Sequence, residues 1–525
     1  MDRPQDALKA NPFTYGNPIS DPERFIGRRR EVDQVFSRLC NPEHESSSLV
    51  GERRIGKTSL LNYLAHPDVR RKFGLDPDRF VVVYVDLQMV DKTATPTRLW
   101  QRLLRQIARN CQAEPVKQIL EEVRQEEVID NFALEDVFDS VDAQNQYVVL
   151  LLDEFENVTE NANFGPDFFY GLRSLAIHHH LSLITSSRRE LIELCHSDAI
   201  RSSPFFNIFA NINVGLFGEA DARQFIARSL EGSGVSFSDA DVSALFRLAG
   251  YHPYFLQAAC YFLFEASARN LPPDERASFL ASEFREEAIP HMADYWHNSD
   301  DHQRLALLLL ALLGRQSKAD RAVFSMSQLQ DYYARSDQML SRLEKRGLVV
   351  SHPDGYALLN SAMGEWIVNE IIGVESQAAG TDSSPAGPIP AYITKLRQNL
   401  ESYFNDEDLR NLCADLGVEY EDLPAEGKAG KARELINYMK RRECLPDLVK
   451  MCRTHRPKVV WEDGPETAAA APGGRAADAP AEALSRVDTR YQELVMGWVA
   501  GSKNPTAVSH LLQSGLNVSE EKDHV

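Results

Sequence analysis

The sequence is poor in paired cysteines and in long apolar runs. Its seven cysteines include no CxxC pair, which argues against a structural zinc site and against a disulfide framework. The most apolar short run, Leu305 to Leu313, is too short to cross a bilayer. The N-terminus also lacks the charged and then apolar pattern of a secretion signal. We therefore expect a cytoplasmic protein with reduced thiols and no membrane segment.

Positive charge is scarce as well. The formal net charge is −20 over 525 residues, so the chain as a whole is not expected to coat nucleic acid, which requires a concentrated positive surface. A local basic face remains possible. The length is too great for one hydrophobic core and favours about three or four domains.

Two segments rich in small residues divide the chain, SQAAGTDSSPAGPIP at 376–390 and an Ala, Gly and Pro-rich stretch within 458–484. Both compositions are typical of linkers. We predict a lead-in at 1–24, an ATPase core at 25–216, a helical lid at 217–285, a winged helix at 290–373, a linker at 376–390, a helical adaptor at 391–457, a second linker at 458–484, and a C-terminal tail with a short helix at 485–525.

Within the predicted core, β-rich apolar runs alternate with helical stretches. The runs lie at 46–51, 80–87, 147–155, 181–187 and 212–216. Nearly continuous Val, Ile and Leu is typical of strands that are buried on both faces of a parallel sheet. The predicted fold class is therefore α/β with a parallel sheet core, followed by helical segments.

A phosphate-binding loop follows the first of these strands. Gly51, Gly56, Lys57 and Thr58 match GxxxxGK[ST], a loop in which backbone N–H groups surround phosphates. Lys57 would neutralise the β- and γ-phosphates, and Thr58 would hold Mg²⁺. The predicted nucleotide-binding residues of the loop are Gly51, Glu52, Arg53, Arg54, Ile55, Gly56, Lys57, Thr58 and Ser59.

An acidic pair ends another buried strand, in VVLLLDE. We expect Asp153 to share Mg²⁺ with Thr58, and Glu154 to orient or deprotonate the attacking water. Lys57, Asp153 and Glu154 are the predicted catalytic residues, and the predicted cofactors are ATP or ADP with Mg²⁺. The alternative is that the two acids only cap a strand, but both motifs occur in the order that an ATPase requires.

A polar and basic segment ends the next strand, in LITSSRRE. Ser187, Arg188 and Arg189 would lie beside the strand that carries Asp153 and could sense the γ-phosphate, since Arg suits phosphate. The alternative for either arginine is a solvated basic turn.

Several motifs together resemble the signal-transduction ATPases with numerous domains, the STAND class of AAA+-like NTPases. They are FIGRRREVDQVFSRL (25–39), GERRIGKTSLL (51–61), LLDEFE (151–156), ITSSRRE (184–190) and GYHPYFLQ (250–257). The nearest resemblance is to the branch similar to archaeal initiator ATPases, and it covers about residues 11–373.

The resemblance implies roles for two further groups of residues. Phe25, Ile26, Gly27 and Arg28 would pack near the nucleotide base, and Pro253 would abut adenine at the rigid start of a lid helix. An ordinary helix start is the alternative for Pro253. The sequence has no clear arginine finger, so hydrolysis is expected to be slow or to depend on assembly.

The predicted winged helix carries Arg335, Arg342, Lys345 and Arg346 between Ala334 and Gly347. Such a helix could enter the major groove of DNA. Acidic residues are interspersed in the same stretch, and no basic wing follows. The resemblance instead favours a regulatory segment that contacts the nucleotide site.

Residues 401–457 resemble a bacterial effector-associated, death-fold-like adaptor domain. The first half is acidic and the second basic, which would suit head-to-tail pairing; solvated faces of a small bundle are the alternative. The acidic residues are Glu401, Asp406, Glu407 and Asp408, and the basic ones are Lys428, Lys431, Arg433, Lys440, Arg441 and Arg442.

The resemblance thus implies an ATPase switch in which ADP holds the lid and winged helix closed. Exchange for ATP would produce an oligomer of the chain with itself and recruit an effector protein carrying a matching adaptor, in bacterial antiviral defence or signalling. DNA is a less expected partner, and no membrane is expected. The competing functions are a DNA-associated initiator-like or transposition-helper ATPase, and a scaffold with an inactive nucleotide site.

Overall fold

The structure of the chain is a computed structural model. It describes residues 11–201, 204–317, 322–372 and 487–517, together with 396, 399–400, 403–404, 406–416, 418, 420, 431–432, 435–436, 439, 445–456, 459 and 461. The linker at 376–390, nearly all of that at 458–484, and the charged residues Glu401, Lys428, Arg433, Lys440, Arg441 and Arg442 lie outside the described residues.

A five-stranded parallel sheet forms the centre of the N-terminal part. Its strands are β1 (Ser47–Val50), β2 (Phe80–Asp86), β3 (Tyr147–Asp153), β4 (Leu181–Ser187) and β5 (Ala210–Asn213), in the order β2-β3-β4-β1-β5. The predicted parallel-sheet fold class is confirmed. The fifth strand begins two residues before the apolar run predicted at 212–216 and ends at Asn213.

Helices cover both faces of this sheet. They are α1 (Arg29–Leu39), α2 (Lys57–Ala65), α3 (Pro67–Lys72), α4 (Pro96–Asn110), α5 (Glu114–Arg124), α6 (Asn131–Ala143), α7 (Glu156–Thr159), α8 (Pro166–His178) and α9 (Asp198–Arg201). Successive residues of a strand point to opposite faces. Accordingly, Val148 and Leu150 join a cluster with α4, α5, α6 and α8, whereas Val149 and Leu151 join one with α1 and α2.

Helices and a small hairpin follow the sheet. The helices are α10 (Glu219–Leu230), α11 (Asp239–Ala249), α12 (Pro253–Ala268), α13 (Pro273–His297), α14 (Asp301–Gln316), α15 (Met326–Tyr332), α16 (Ser336–Lys345) and α17 (Ser361–Ile372). Antiparallel strands β6 (Val349–His352) and β7 (Gly355–Leu358) lie between α16 and α17. Helix α13 is continuous from 285 to 290, between the predicted lid and winged-helix segments.

The C-terminal region is helical and has its own core, as predicted. Its described helices are α18 (Asp406–Asp415), α19 (Leu445–His455), α20 (Thr489–Gly501) and α21 (Pro505–Asn517). Leu409, Leu412, Cys413 and Leu416 recur at helical spacing in the sequence. The first three are buried, and Leu416 packs against them partly buried. The chain forms two compact units, Met1–Trp366 with Ser502–Asn504, and Ile367–Gly501 with Pro505–Val525. Within the described residues, no helix has both the length and the apolar character needed to span a bilayer.

Candidate functional site

The loop between β1 and α2 needs glycine at its two ends for different reasons. A Cβ on Gly51 would lie 2.4 Å from the carbonyl oxygen of Val214, so only glycine fits there. Gly56 has φ = 101°, a left-handed conformation that glycine adopts without strain. The Gly51 N–H donates to the carbonyl of Ser187 at 3.1 Å, which ties the loop to the end of β4.

Lys57 is the first residue of α2 and is almost completely buried. Its ammonium donates to the carbonyl oxygens of Gly51 at 2.8 Å and Glu52 at 3.1 Å. A phosphate makes a stronger, charge-assisted bond with an ammonium than a carbonyl does. The first-turn N–H groups of a helix also lack partners within the helix, so the start of α2 can receive an anion.

Asp153 ends β3 and is held by three neighbouring groups. Its Oδ1 accepts bonds from the Ser186 hydroxyl and, at 3.2 Å, from the Glu154 N–H, while Oδ2 accepts from the Tyr84 hydroxyl at 3.0 Å. Ser186 belongs to β4 and Tyr84 to β2, the two strands that flank β3. Tyr84 was not predicted, and Ser186 was visible only as part of the polar end of its strand.

Glu154 follows Asp153 with a strained backbone and a perturbed carboxyl. Its φ is 54°, an uncommon conformation for glutamate that concentrates at functional sites. Burial raises the pKa of the carboxyl to about 7, helped by the negative charge of Glu156 and opposed by Lys57. Lys57 and Glu154 are thus close enough to interact electrostatically. A carboxyl that titrates near neutrality suits proton transfer at pH 7.

The three predicted sensor residues lie at the end of β4 but face different partners. The Ser187 hydroxyl donates to the Arg189 carbonyl at 2.7 Å. Arg188 Nε donates to the buried Glu156 at 3.1 Å, beside Glu154. Arg189 donates to the Asn298 carbonyl at 2.6 Å, beyond the end of α13. Arg188 therefore pairs with Glu156, and Arg189 connects the end of β4 to the end of α13.

The motif at 25–28 contacts the phosphate-binding loop directly. Buried Arg28 donates to the Ile55 carbonyl at 2.9 Å and lies 4.9 Å from the ring centre of Phe217. Phe25 stacks on Tyr63 of α2 with ring centres 4.4 Å apart, and Ile26 is buried. Gly27, which lies between Ile26 and Arg28, has φ = 76°.

Pro253 is the first residue of α12 and is buried. The preceding His252 is completely buried, and this burial lowers its pKa to about 3, with further effects of His291 and Arg28. Its Nε2 lies 3.1 Å from the Tyr295 hydroxyl, which donates to the Arg53 carbonyl at 3.1 Å. The neutral His252 and Tyr295 therefore connect the start of α12 to the loop.

The two arginines of the loop contact other residues of the chain. Arg53 lies 3.8 Å from Asp294 of α13. Arg54 donates to the Gly16 carbonyl at 3.0 Å and lies 5.0 Å from the ring centre of Tyr254. Ser59, the last predicted residue of the loop set, accepts a bond from the Ile19 N–H at 3.0 Å.

Arg346 makes a contact with the loop that the sequence did not predict. Its Nε donates to the Glu52 carboxylate, and both side chains are buried. Nη1 donates to Ser299 Oγ and Gln303 Oε1, each at 2.7 Å. The residue just after α16 therefore joins the phosphate-binding loop to the start of α14. Nothing local distinguishes Arg346 from Arg342 or Lys345 in the sequence.

The oxygen donors predicted for Mg²⁺ are chemically suitable. Mg²⁺ is usually bound through one or two carboxylates, water and substrate phosphates. Asp153 supplies a buried carboxylate, and Thr58 supplies a hydroxyl in the first turn of α2. The residues present therefore fit a Mg²⁺–nucleotide complex.

Two family models match the chain. The model described as Novel STAND NTPase 2 matches residues 40–302. The model described as Effector-associated domain 7 matches residues 396–457. No curated protein matches this chain.

Three solved structures are among those to which the chain is similar. A Walker-type ATPase of Pyrococcus abyssi is 15% identical, with 67% of this chain and 98% of that chain covered and a TM-score of 0.42. The ORC2 protein of Aeropyrum pernix is 14% identical, with 66% and 96% covered and a TM-score of 0.45. The Thermotoga maritima RuvB branch-migration motor is 11% identical, with 65% and 94% covered and a TM-score of 0.32.

Proposed function

Because the chain belongs to the Novel STAND NTPase 2 family and carries an effector-associated domain, we propose that it is an ATP-dependent molecular switch. The bound nucleotide controls whether α13, α14 and the residue after α16 stay docked on the phosphate-binding loop. Undocking permits assembly of several copies, and the domain at 396–457 then recruits an effector.

The buried contact between Arg346 and Glu52 carries this proposal. Glu52 lies inside the phosphate-binding loop, whereas Arg346 lies 294 residues later in the chain. The two side chains are 7% and 10% exposed, respectively. Removing one partner from a buried ion pair leaves an unpaired charge and costs about 3–5 kcal/mol. A nucleotide that repositions Glu52 would therefore strongly favour undocking.

Two further contacts also hold α13 on the phosphate-binding loop. The Tyr295 hydroxyl donates to the Arg53 carbonyl, and Arg53 pairs with Asp294. All three contacts end on the loop that would surround the phosphates. ADP and ATP can drive a switch only if they bind the docked and undocked states with different affinity. Contacts with the loop itself provide a way for the phosphates to create that difference.

Hydrolysis would return the switch to its docked state. Lys57 would bind the β- and γ-phosphates, Thr58 and Asp153 would hold Mg²⁺, and Glu154 would accept the proton of the attacking water. Bound Mg²⁺ would supply charge neutralisation on the phosphate oxygens. Ser186 and Tyr84 would orient the Asp153 carboxylate. Because Arg188 pairs with Glu156, it would not stabilise the γ-phosphate, and hydrolysis would be slow.

The effector-associated domain would supply the output. Among its described acidic residues, Asp408 lies 2.5 Å from Arg456 within the same domain. Asp415 likewise lies 2.7 Å from His455. Head-to-tail pairing would therefore depend more on Glu407, which is exposed, than on these two acids. A role in bacterial defence or signalling rests on the family alone.

Release of fluorescent ADP tests the switch. Replacing Arg346 with Met leaves Glu52 unpaired, so we expect ADP to dissociate at least tenfold faster than from the wild type. The control is Arg342→Met on the exposed side of α16, which removes the same charge without touching the loop. Wild-type release rates in both variants would refute the role of Arg346.

Assembly is tested separately with Glu154→Gln, which should retain ATP without hydrolysing it. We expect light scattering to give a higher molar mass with ATP than with ADP. An unchanged mass, with ATP shown to be bound, would rule out nucleotide-dependent assembly.

A further inference from the structure

A row of four arginines runs along the solvent side of α4, in a chain whose net charge is strongly negative. We define the α4 stripe as Arg98, Arg102, Arg105 and Arg109, all of which are exposed. The spacings of four, three and four residues place them within an arc of about 60° on the helix surface, over a length of about 16 Å. The opposite side of α4 carries buried apolar residues. The stripe therefore faces away from the core.

Most of the stripe is electrostatically unpaired. Within the described part of the chain, no hydrogen bond or ion pair involves the guanidinium groups of Arg102, Arg105 and Arg109, and α4 contains no acidic residue. Arg98 is near enough to attract the exposed carboxyl of Asp91. Like charges three and four residues apart destabilise a helix. Binding of an external anion would relieve the repulsion between these arginines.

The neighbouring helix α5 borders the stripe but adds no net positive charge. An open cavity of about 370 Å³ between α4 and α5 is lined by Arg105, Ala108, Arg109, Lys117, Glu121 and Arg124. Arg124 pairs with Glu121 at 2.5 Å, and Lys117 pairs with Glu114 at 2.9 Å. The α5 cations are thus already neutralised, so the excess charge at the cavity comes from Arg105 and Arg109.

We propose that the α4 stripe binds the phosphate backbone of a nucleic acid without regard to base sequence. A straight row of about 16 Å that lies along the axis of a duplex is about as long as five base pairs, at a rise of 3.4 Å per phosphate of each strand. All the cations of α4 are arginine, whose guanidinium can bind phosphate through two parallel hydrogen bonds. Phosphate contacts position a protein on nucleic acid but carry no sequence information.

An acidic protein partner fits the surface less well. Protein interfaces are centred on buried aromatic and apolar side chains. Among the described residues of α4 and α5, no large apolar side chain is exposed, and the exposed Val128 and Phe132 lie after α5, outside the row of arginines. A linear array of one charge without an apolar centre is complementary to a polyanion. The nucleic acid would contact the ATPase core here, rather than the helix α16 that the predicted winged helix would use.

Salt-dependent binding to the full-length, ADP-bound protein tests the proposal. We expect fluorescence anisotropy with labelled duplex and single-stranded 20-mers of unrelated sequence to show binding that weakens from 50 to 200 mM KCl. Contacts with three or four phosphates give a slope of log K against log salt of about −3 on duplex. The double variant Arg105→Gln and Arg109→Gln should reduce this slope by about 2 and weaken binding at least tenfold.

A matched control removes two charges from another exposed helix. Arg342→Gln with Lys345→Gln should leave the affinity and the slope unchanged. If this control abolishes binding while the α4 variant does not, nucleic acid binds at α16 and the proposal is wrong. Absence of binding by the wild type, or equal binding to polyglutamate, would also overturn it. Unchanged ADP release and thermal midpoint in both variants show that the fold and the proposed switch are intact, so either proposal can fail independently.

Discussion

At the scale of the residue, Glu154 combines several unfavourable features in one position. Its backbone is left-handed, its carboxyl is largely buried, and Glu156 adds a second negative charge nearby. The left-handed backbone disfavours the folded state, and burial and the nearby negative charge disfavour the ionised carboxylate. Such strain is typical of positions that are retained for chemistry.

The raised pKa of Glu154 predicts a specific dependence of stability on pH. Its pKa is about 7 in the folded protein against 4.5 for an ordinary glutamate. The folded state therefore holds the proton more tightly, and its contribution to stability is complete below pH 4.5 and is lost as the pH rises through 7. We expect nucleotide-free Glu154→Gln to gain stability relative to the wild type between pH 5 and pH 8, as measured by thermal midpoints.

Glu135→Gln is the control for this titration, because Glu135 is an exposed acid on α6. Its midpoint should follow that of the wild type at every pH. A difference between Glu154→Gln and the wild type that does not change with pH would contradict the assignment.

At the scale of the element, helix α14 supports the contact of Arg346 with the loop. It begins after Asp300, whose side chain accepts a bond from the Gln303 N–H at 2.9 Å. The Gln303 side chain in turn accepts a bond from Arg346. Gln303 therefore links Asp300, the capping residue of α14, to the proposed docking residue Arg346.

Loss of the cap should destabilise the N-terminal unit measurably. Asp300→Ala removes the acceptor at the start of α14 and should cost about 1 kcal/mol. In a unit of this size, we expect the thermal midpoint to fall by about 1–2 °C. Asp301→Ala is the matched control, since Asp301 is exposed and pairs only with Arg304 at 3.2 Å; such surface pairs contribute about 0–1 kcal/mol. Equal effects of the two changes would show that the cap is unimportant.

At the scale of the whole molecule, the two compact units have separate hydrophobic cores. Leu308 is fully buried in α14 of the first unit, and Leu412 is fully buried in α18 of the second. The described residues of the cluster around Leu412 all lie between 396 and 461. Damage to one core should therefore remain local.

Calorimetry of the full chain should resolve this independence. A buried Leu→Ala change costs about 2–5 kcal/mol, so Leu412→Ala should lower only the transition of the second unit and Leu308→Ala only that of the first. ATP at about 100 times its Kd should stabilise the first unit by about 2.7 kcal/mol and leave the second unchanged. A common shift of all transitions with either substitution would show that the units unfold together.

Much of the fold and the centre of the candidate site could be predicted from the sequence. The positions of Gly51, Gly56 and Lys57 follow from a pattern within eight residues, because a short loop must bring its own N–H groups around a phosphate. The strand before Asp153 was visible as a continuous apolar run, because a parallel sheet is buried on both faces. The adaptor helix around Leu412 was visible as a stripe of helical period.

Only the tertiary structure revealed the partners of these residues. Ser186 and Tyr84 reach Asp153 because β3 lies between β4 and β2, and strand order is not encoded in any one strand. Arg346 reaches Glu52 across 294 residues of chain, and the nearby Arg342 and Lys345 carry the same charge. Local patterns of spacing and polarity thus determined which elements form and where phosphate would bind. The long-range packing of those elements decided which side chains hold Asp153 and the loop, because such contacts depend on the three-dimensional arrangement rather than on neighbouring residues.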